Sequence, residues 1–151
     1  MDDDTYTILG CITKYKADDI RPYVESIEQT GFKGRKVMLV YDVPQETIDY
    51  LKSKGWDLFG GELQQHIILQ RFRDLYKLLG SEIKGTVIWT DVKDVIFQKD
   101  PTDWIEHNME DDILSFSECI TFKNDPWACV NAGTSFPMEW EWLQNKTSYC
   151  A

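Results

Sequence analysis

The stretch VIWTDVKDVIFQKDP, residues 87–101, sets two carboxylates between two apolar runs. The run at 87–89 has the composition of a buried strand, and the run at 95–97 is also apolar. Asp91 and Asp94 lie between these runs, although a carboxylate that leaves water needs a partner. A cation that also binds phosphate is one candidate for that partner. The stretch therefore predicts a buried strand that ends at a binding site.

Around this stretch, strand patterns alternate with helical patterns. Apolar runs predict five strands or strand-like pieces, at 6–13, 37–41, 56–59, 86–90 and 113–119. Capping residues and helical spacing predict four helices, which begin at Asp18 or Asp19, at Pro44, near residue 65 and near Thr102. This alternation predicts an α/β fold with a mostly parallel central sheet flanked by helices on both faces.

Two segments carry more specific expectations. The helix predicted over about 65–79 should turn one apolar stripe inward, formed by Ile68, Phe72, Leu75 and Leu79. From about residue 124 the sequence shows no regular pattern, so an irregular tail is expected there.

Composition limits the kinds of partner. The chain has 151 residues and is 42% hydrophobic, which fits a single domain over 1–151 with a real core. Its net charge of −10 argues against nucleic acid as the main partner. No apolar run is long enough to span a membrane, and the start lacks the features of a signal peptide. The four cysteines, of which Cys11 and Cys119 sit in apolar runs, read as reduced core residues of a cytoplasmic protein.

The spacing of the two aspartates leaves their roles open. A lone aspartate after a strand is usually a turn or capping residue, and a pair makes a site more plausible. In an extended strand, residues three apart point to opposite faces and lie about 10 Å apart. Either the chain bends at Val92-Lys93, or only one aspartate can contact a metal ion directly. Asp94 could be that ligand while Asp91 holds a ribose or orients a water molecule.

Residues 87–101 resemble the acidic metal motif of GT-A-type glycosyltransferases. In that family a strand ends in D-x-D, a second apolar run follows, and an Asp-Pro pair often comes next. The resemblance extends to a first strand ending at Thr13, to Asp42 after the second strand, and to a helix carrying Arg71 before the motif strand. In this order of elements the chain is similar to the N-terminal, donor-binding half of the GT-A (Rossmann-like) fold.

The resemblance implies a nucleotide-diphospho-sugar donor and a divalent cation, Mn²⁺ or Mg²⁺. Asp91 and Asp94 match the metal-binding carboxylates, although D-x-x-D replaces D-x-D. Thr13, Asp42, Arg71 and Asp91 are then the expected donor contacts, and Arg73 is a second cation near the phosphates. The acceptor, whether carbohydrate, lipid or protein, stays open.

Weaker candidates lie later in the chain. Glu118, at the end of the strand predicted over 113–119, is the candidate catalytic residue on the acceptor side, or else a solvated glutamate. Trp127 and residues 131–133 could frame a sugar pocket, or Trp127 could be an ordinary core residue.

Chain length separates this sequence from typical family members, which continue further and often supply a late metal-binding histidine. Neither His66 nor His107 occupies that position, so a C-terminally truncated domain is expected. Two rival classes remain. One is a D-x-D phosphatase, which needs a second Asp two residues after the first. The other is a non-catalytic nucleotide- or sugar-binding module.

Overall fold

The computed structural model describes residues 3–115, 117–135 and 138–149. The chain forms two compact units, Met1–Ile105 and Glu106–Ala151.

The first unit alternates strands and helices along the chain. Its elements are β1 (Asp3–Thr13), α1 (Ala17–Thr30), β2 (Gly34–Tyr41), α2 (Gln45–Ser53), β3 (Asp57–Gly61), α3 (Ile67–Ser81), β4 (Thr86–Trp89) and the start of α4 (Thr102–Asn108). Within the described residues, the four strands form one sheet in the order β3-β2-β1-β4, and every neighbouring pair is parallel. The predicted α/β class with a parallel sheet is confirmed, and the strand order is compatible with a Rossmann-like fold.

Alternating side chains of the sheet build one apolar cluster on each face. Ile8, Ile12 and Met38 pack with apolar side chains of α1 and α2. Leu9, Leu39 and Tyr41 point the other way and pack with side chains of α3. Successive strand residues face opposite sides, so both faces of a parallel sheet become buried. The predicted helices on both faces are therefore confirmed.

In helix α1 the capping residue lies two or three positions before the predicted one, because the N-cap is Lys16. The sequence suggests that Asp18 or Asp19 precedes the helix. In the structure the helix begins at Ala17, and Asp19 Oδ2 accepts a hydrogen bond from the Lys16 N–H at 2.9 Å. The carboxylate thus reaches back from the first turn to a free backbone donor. The helix ends at Gly31, whose φ of 76° is left-handed.

Helix α3 is rotated by about one residue relative to the predicted stripe. Leu75 and Leu78 pack toward the sheet, whereas Phe72 and Leu79 are each 46% exposed. The side chain of Ile68 lies outside the described part. Adjacent apolar pairs at 67–68 and 78–79 allow two helical stripes, and one residue corresponds to a rotation of about 100°.

The second unit is organised differently from the expectation. Its strands β5 (Ser117–Thr121) and β6 (Thr147–Tyr149) form a separate antiparallel pair. The strand predicted at 113–119 overlaps β5 only at 117–119, and its predicted place in the central sheet is wrong. Ile113 is 84% exposed. The side chain of Cys119 is also exposed rather than part of a core.

The segment predicted to be an irregular tail contains two helices, α5 (Pro126–Ser135) and α6 (Trp140–Leu143). Asp125 caps α5, because its Oδ1 accepts hydrogen bonds from the backbone N–H groups of Trp127 (3.0 Å) and Ala128 (3.1 Å). Proline at the first helical position is a start signal that the sequence did offer.

Among the described residues, no helix combines the length and the apolar character that crossing a bilayer requires.

Candidate functional site

A cleft opens where strand β4 leaves the sheet before its neighbour β1 does. The last paired residues of these two strands are Leu9 and Trp89, and β1 continues to Thr13. A hydrogen bond from the Thr90 N–H to the Leu9 carbonyl, at 3.2 Å, marks the point of departure. The chain then bends at 92–94, as the spacing of the aspartates requires if both are to face one site. We call residues 91–96 the acidic loop.

The end of β1, helix α3 and the acidic loop enclose a cleft of about 520 Å³. Its lining residues are Cys11, Thr13, Tyr15, Ile67, Arg71, Asp91, Val92, Lys93 and Asp94. Four of the residues named from the sequence thus line one cavity, at the carboxyl edge of a parallel sheet. Ligands of such sheets bind at this edge.

Arg71 and Asp91 face each other across the cleft wall. Arg71 Nη1 lies 3.3 Å from Asp91 Oδ1, and the two side chains are 18% and 58% exposed. The guanidinium carbon is also 5.3 Å from the ring centroid of Phe72 and 5.9 Å from that of Trp89. These rings stack on each other with centroids 5.5 Å apart. Aromatic faces attract a guanidinium group, so Phe72 and Trp89 help Asp91 to hold Arg71 in place.

The acidic loop contributes charges of both signs. Asp94 is exposed, and no hydrogen bond or ion pair joins its carboxylate to another described residue. Lys93 places its Nζ 5.8 Å from the ring centroid of Tyr15. With Arg71 and Asp91, the cleft carries two cationic and two anionic side chains. It is therefore locally balanced, although the whole chain has a net charge of −10.

Two polar atoms of cleft-lining residues have no hydrogen-bond partner among the described residues. They are Thr13 Oγ1 and Arg71 Nε, and both are buried. Buried donors and acceptors without partners are uncommon, and a bound ligand or water molecule is one explanation for them.

Cys11 is a poor candidate for a nucleophile. Burial raises the pKa of its thiol to about 11, while nearby Arg71 lowers it and Asp91 raises it. The reactive form of cysteine is the thiolate, so this thiol is unreactive near neutral pH.

The residues of the cleft fit a cation that a phosphorylated ligand helps to bind. No group of three or more His, Cys, Asp or Glu residues capable of holding a metal occurs in the described part of the chain. Mg²⁺ and similar ions are often held by one or two carboxylates together with phosphate oxygens and water. Asp91 and Asp94 supply two carboxylates on one cleft, so they match this arrangement and not a closed all-protein site.

The remaining predicted residues lie elsewhere or outside the described side chains. Asp42 follows β2 with a φ of 50°, is exposed and does not line the cleft. Arg73 is also exposed on α3 and outside the lining. Trp127 is 68% exposed in the second unit. The side chains of Glu118 and of residues 131–133 are outside the described part, so their roles stay predictions.

Sequence reasoning missed Tyr15 and Lys93 as cleft residues. Lys93 was interpreted only as a bend residue. Tyr15 follows the end of β1 much as Asp91 follows the end of β4. Residues that follow parallel strands share one edge of the sheet, so the positions after β1 could have been grouped with the motif.

A second, smaller cavity of about 320 Å³ lies beside α3 and the end of β3. There the buried Tyr41 hydroxyl donates a hydrogen bond to Asp74 Oδ2 at 2.7 Å, and Lys77 pairs with the other carboxylate oxygen at 3.1 Å. Burial alone would raise the pKa of Asp74. The hydrogen bonds from Tyr41 and Lys77 outweigh burial, and the pKa is lowered. Gln70 accepts hydrogen bonds from the backbone of Gln64 and Gln65, which fixes the loop before α3.

A scan against models of known protein families finds no match for this chain, and a search of curated protein sequences finds none either.

Proposed function

We propose that the first unit binds a nucleotide-diphospho-sugar and belongs to a metal-assisted glycosyltransferase with a GT-A-like fold. One observation carries the proposal. Thr13, Arg71, Asp91 and Asp94 were each named from the sequence, and all four line one cleft at the carboxyl edge of a parallel sheet.

Each of these residues has a role in binding the donor. Asp91 and Asp94 would hold a divalent ion, Mn²⁺ or Mg²⁺, which neutralises the diphosphate as it leaves the sugar. Arg71 and Lys93 provide the two cationic groups of the cleft for phosphate oxygens. The buried Thr13 hydroxyl offers a further polar contact.

Calorimetric titration with a panel of sugar nucleotides, in Mn²⁺ and in EDTA, tests the proposal. Asp94→Asn should weaken metal-dependent binding about tenfold or more, because it removes a charged metal ligand. Asp100→Asn is the matched control in the same stretch. Asp100 Oδ1 accepts hydrogen bonds from the Thr102 N–H (3.0 Å) and hydroxyl (2.8 Å), so it shapes the turn before α4. Equal losses of affinity in the two variants would contradict the assignment.

A non-catalytic binding module is the second candidate. It is supported by the lining of the cleft, where the carboxylates assigned to the metal are the only evident proton acceptors and the thiol of Cys11 stays protonated. Mass spectrometry separates the two candidates. Release of nucleoside diphosphate, with the sugar passing to water or to an added acceptor, supports the transferase, and tight binding without turnover supports the module. The phosphatase is disfavoured because Lys93 occupies the position two residues after Asp91.

A further inference from the structure

The residue that precedes the acidic loop is held by helix α1. The hydroxyl groups of Tyr23 and Thr90 form a hydrogen bond of 2.8 Å, and Thr90 is directly followed by Asp91. Tyr23 is only 1% exposed, and its ring packs against Trp56 and makes a T-shaped contact with Phe97. Because the ring of Tyr23 is buried and packed, its hydroxyl has little freedom to move. The hydrogen bond can therefore restrict the position of Thr90.

The residue that follows the acidic loop is held by the next turn of the same helix. The backbone N–H of Phe97 donates a hydrogen bond to Ser26 Oγ at 3.0 Å. Ser26 Oγ in turn donates to the carbonyl of Tyr23 at 2.7 Å. The two bonds from α1 therefore fix the acidic loop at both of its ends.

A third anchor lies in the middle of the loop. Val92 is only 3% exposed and packs over Gly10 of β1. A Cβ atom at residue 10 would lie 2.6 Å from Val92 Cγ2 and 3.0 Å from the sulfur of Met38. The absence of a side chain at Gly10 is thus what lets Val92 lie against the sheet. Its neighbours Asp91 and Lys93 are both exposed.

We propose that Gly10, Tyr23 and Ser26 are positioning residues that hold the acidic loop at three points and so fix the placement of Asp91 and Asp94. The consequence for ion binding rests on the proposed function. Carboxylates on an unanchored loop would sample many positions. Mutation of residues that orient metal ligands commonly lowers metal affinity 10- to 100-fold. In the sequence, Tyr23 falls only within the first predicted helix and Gly10 only within the strand predicted at 6–13, so neither role is visible there.

Tyr23→Phe and Ser26→Ala test the proposal, each with a matched control. Tyr41→Phe is the control for Tyr23, because Tyr41 is equally buried and its hydroxyl bonds to Asp74 on the other face. Thr30→Val is the control for Ser26. The Thr30 hydroxyl, like that of Ser26, donates a hydrogen bond to a carbonyl three residues earlier, that of Ile27. It also accepts a hydrogen bond from the backbone N–H of Phe32.

Two measurements apply to these four variants and to Gly10→Ala. Hydrogen–deuterium exchange of the peptide 90–97 reports the order of the loop, and electron paramagnetic resonance reports the affinity for Mn²⁺ alone. Tyr23→Phe and Ser26→Ala should each speed exchange in 90–97 at least fivefold and weaken Mn²⁺ binding about tenfold. Gly10→Ala should have the same effects. The controls should change neither quantity relative to wild type.

Exchange in 90–97 that is no faster than in the controls overturns the proposal. Faster exchange with wild-type Mn²⁺ affinity overturns it too, because the anchors would then not place the carboxylates. A wild-type protein that binds no Mn²⁺ either alone or together with a nucleoside diphosphate contradicts the proposed function instead, and the exchange result still decides whether α1 holds the loop. If Gly10→Ala does not fold, Tyr23→Phe remains decisive, since it removes a single oxygen atom.

Discussion

Arg71 has two possible partners, Asp91 and a ligand phosphate. Removing its charge should therefore affect Mn²⁺ and nucleotide in opposite directions. In Arg71→Met, Asp91 loses the cation at 3.3 Å, and the affinity for Mn²⁺ alone should rise a few-fold. Binding of a nucleoside diphosphate with saturating Mn²⁺ should weaken at least about tenfold, because a charged hydrogen bond contributes about 1.5–3 kcal/mol. Calorimetry and paramagnetic resonance measure the two affinities.

Arg73→Met is the control for this pair of measurements. Arg73 lies on the same helix but is exposed and does not line the cleft. It should leave both affinities near the wild-type values. If both arginine variants weaken nucleotide binding equally, general charge explains the effect and Arg71 has no specific role.

Tyr41 and Asp74 give the protein a pH-dependent contribution to stability. The pKa of Asp74 is lowered in the folded state, despite the opposing effect of burial, by hydrogen bonds that include the one from Tyr41. Such a group stabilises the fold above its unfolded pKa of about 3.8, and the contribution is lost as the pH falls through the folded pKa. Tyr41→Phe should cost about 1–2 kcal/mol at pH 7 and clearly less at pH 2, measured by urea unfolding.

Tyr50→Phe provides the comparison for this prediction. The Tyr50 hydroxyl is buried without a hydrogen-bond partner among the described residues. Its removal should be neutral or stabilising at both pH values, because it leaves no group unsatisfied. A cost of Tyr41→Phe that does not change with pH would show that the hydroxyl acts without the Asp74 charge.

At the scale of single residues, the sequence identifies charges more readily than it identifies what holds them. Asp91 and Asp94 stand out because they interrupt apolar runs. The Tyr23–Thr90 hydrogen bond spans 67 residues of sequence, so no local pattern indicates it. Lys93 was predicted to bend the chain, and only the fold shows that it also lines the cleft.

At the scale of elements, strands were predicted better than the rotation of a helix. A short apolar run such as YTILGCIT fits a strand whose successive side chains point to opposite faces of the sheet. In the structure this run lies within β1, and its successive side chains do face opposite sides. Helix α3 carries apolar residues at consecutive positions, so two stripes fit the same spacing. The burial of Leu78 instead of Leu79 is decided by packing on the sheet, which the helical period does not contain.

Two glycines at element boundaries allow a matched test of backbone strain. Gly31 ends α1 with a φ of 76°, and Gly85 precedes β4 with a φ of 77°. A Cβ atom at residue 31 would meet nothing within 4 Å, whereas one at residue 85 would collide with the carbonyl oxygen of Thr5. Gly31→Ala should lower the free energy of unfolding by about 1–2 kcal/mol, the cost of a left-handed alanine.

Gly85→Ala should lower the free energy of unfolding by clearly more than Gly31→Ala, since it adds a collision to the same dihedral cost. Urea titration of both variants measures the difference. Equal costs would mean that β4 shifts easily relative to β1, and the acidic loop would then be less rigid than its anchors suggest.

At the scale of the molecule, the sequence predicts the central sheet but not its limits. Periodicity shows that a segment is a strand, and it does not show which strand is its partner. The pairing of β5 with β6 joins segments about 30 residues apart, and it includes no residue of the central sheet. The chain divides into two compact units, and the expectation of a single domain over 1–151 stays a prediction.

Binding of metal and nucleotide should raise the melting temperature of the protein, and Asp91 is the residue on which that gain should depend. A ligand at 100 times its Kd adds about 2.7 kcal/mol to stability, which is roughly 5–10 °C for a chain of this size. Asp91→Ala should abolish the increment from Mn²⁺ with the best-binding sugar nucleotide. The variant itself should melt close to wild type, because Asp91 is 58% exposed and such ion pairs contribute about 0–1 kcal/mol.

Asp57→Ala serves as the control for the ion pair. Asp57 pairs with Arg35 at 2.7 Å, is 53% exposed and does not line the cleft. Asp57→Ala should lose a similar small amount of stability. It should keep the full rise in melting temperature on ligand binding, because, within the described residues, Asp57 pairs only with Arg35 and does not line the cleft. Thermal melts of the three proteins, with and without ligands, give all the required differences. If Asp91→Ala gains as many degrees as wild type and Asp57→Ala, the ligands bind elsewhere, and the cleft at the end of β4 is not the donor site.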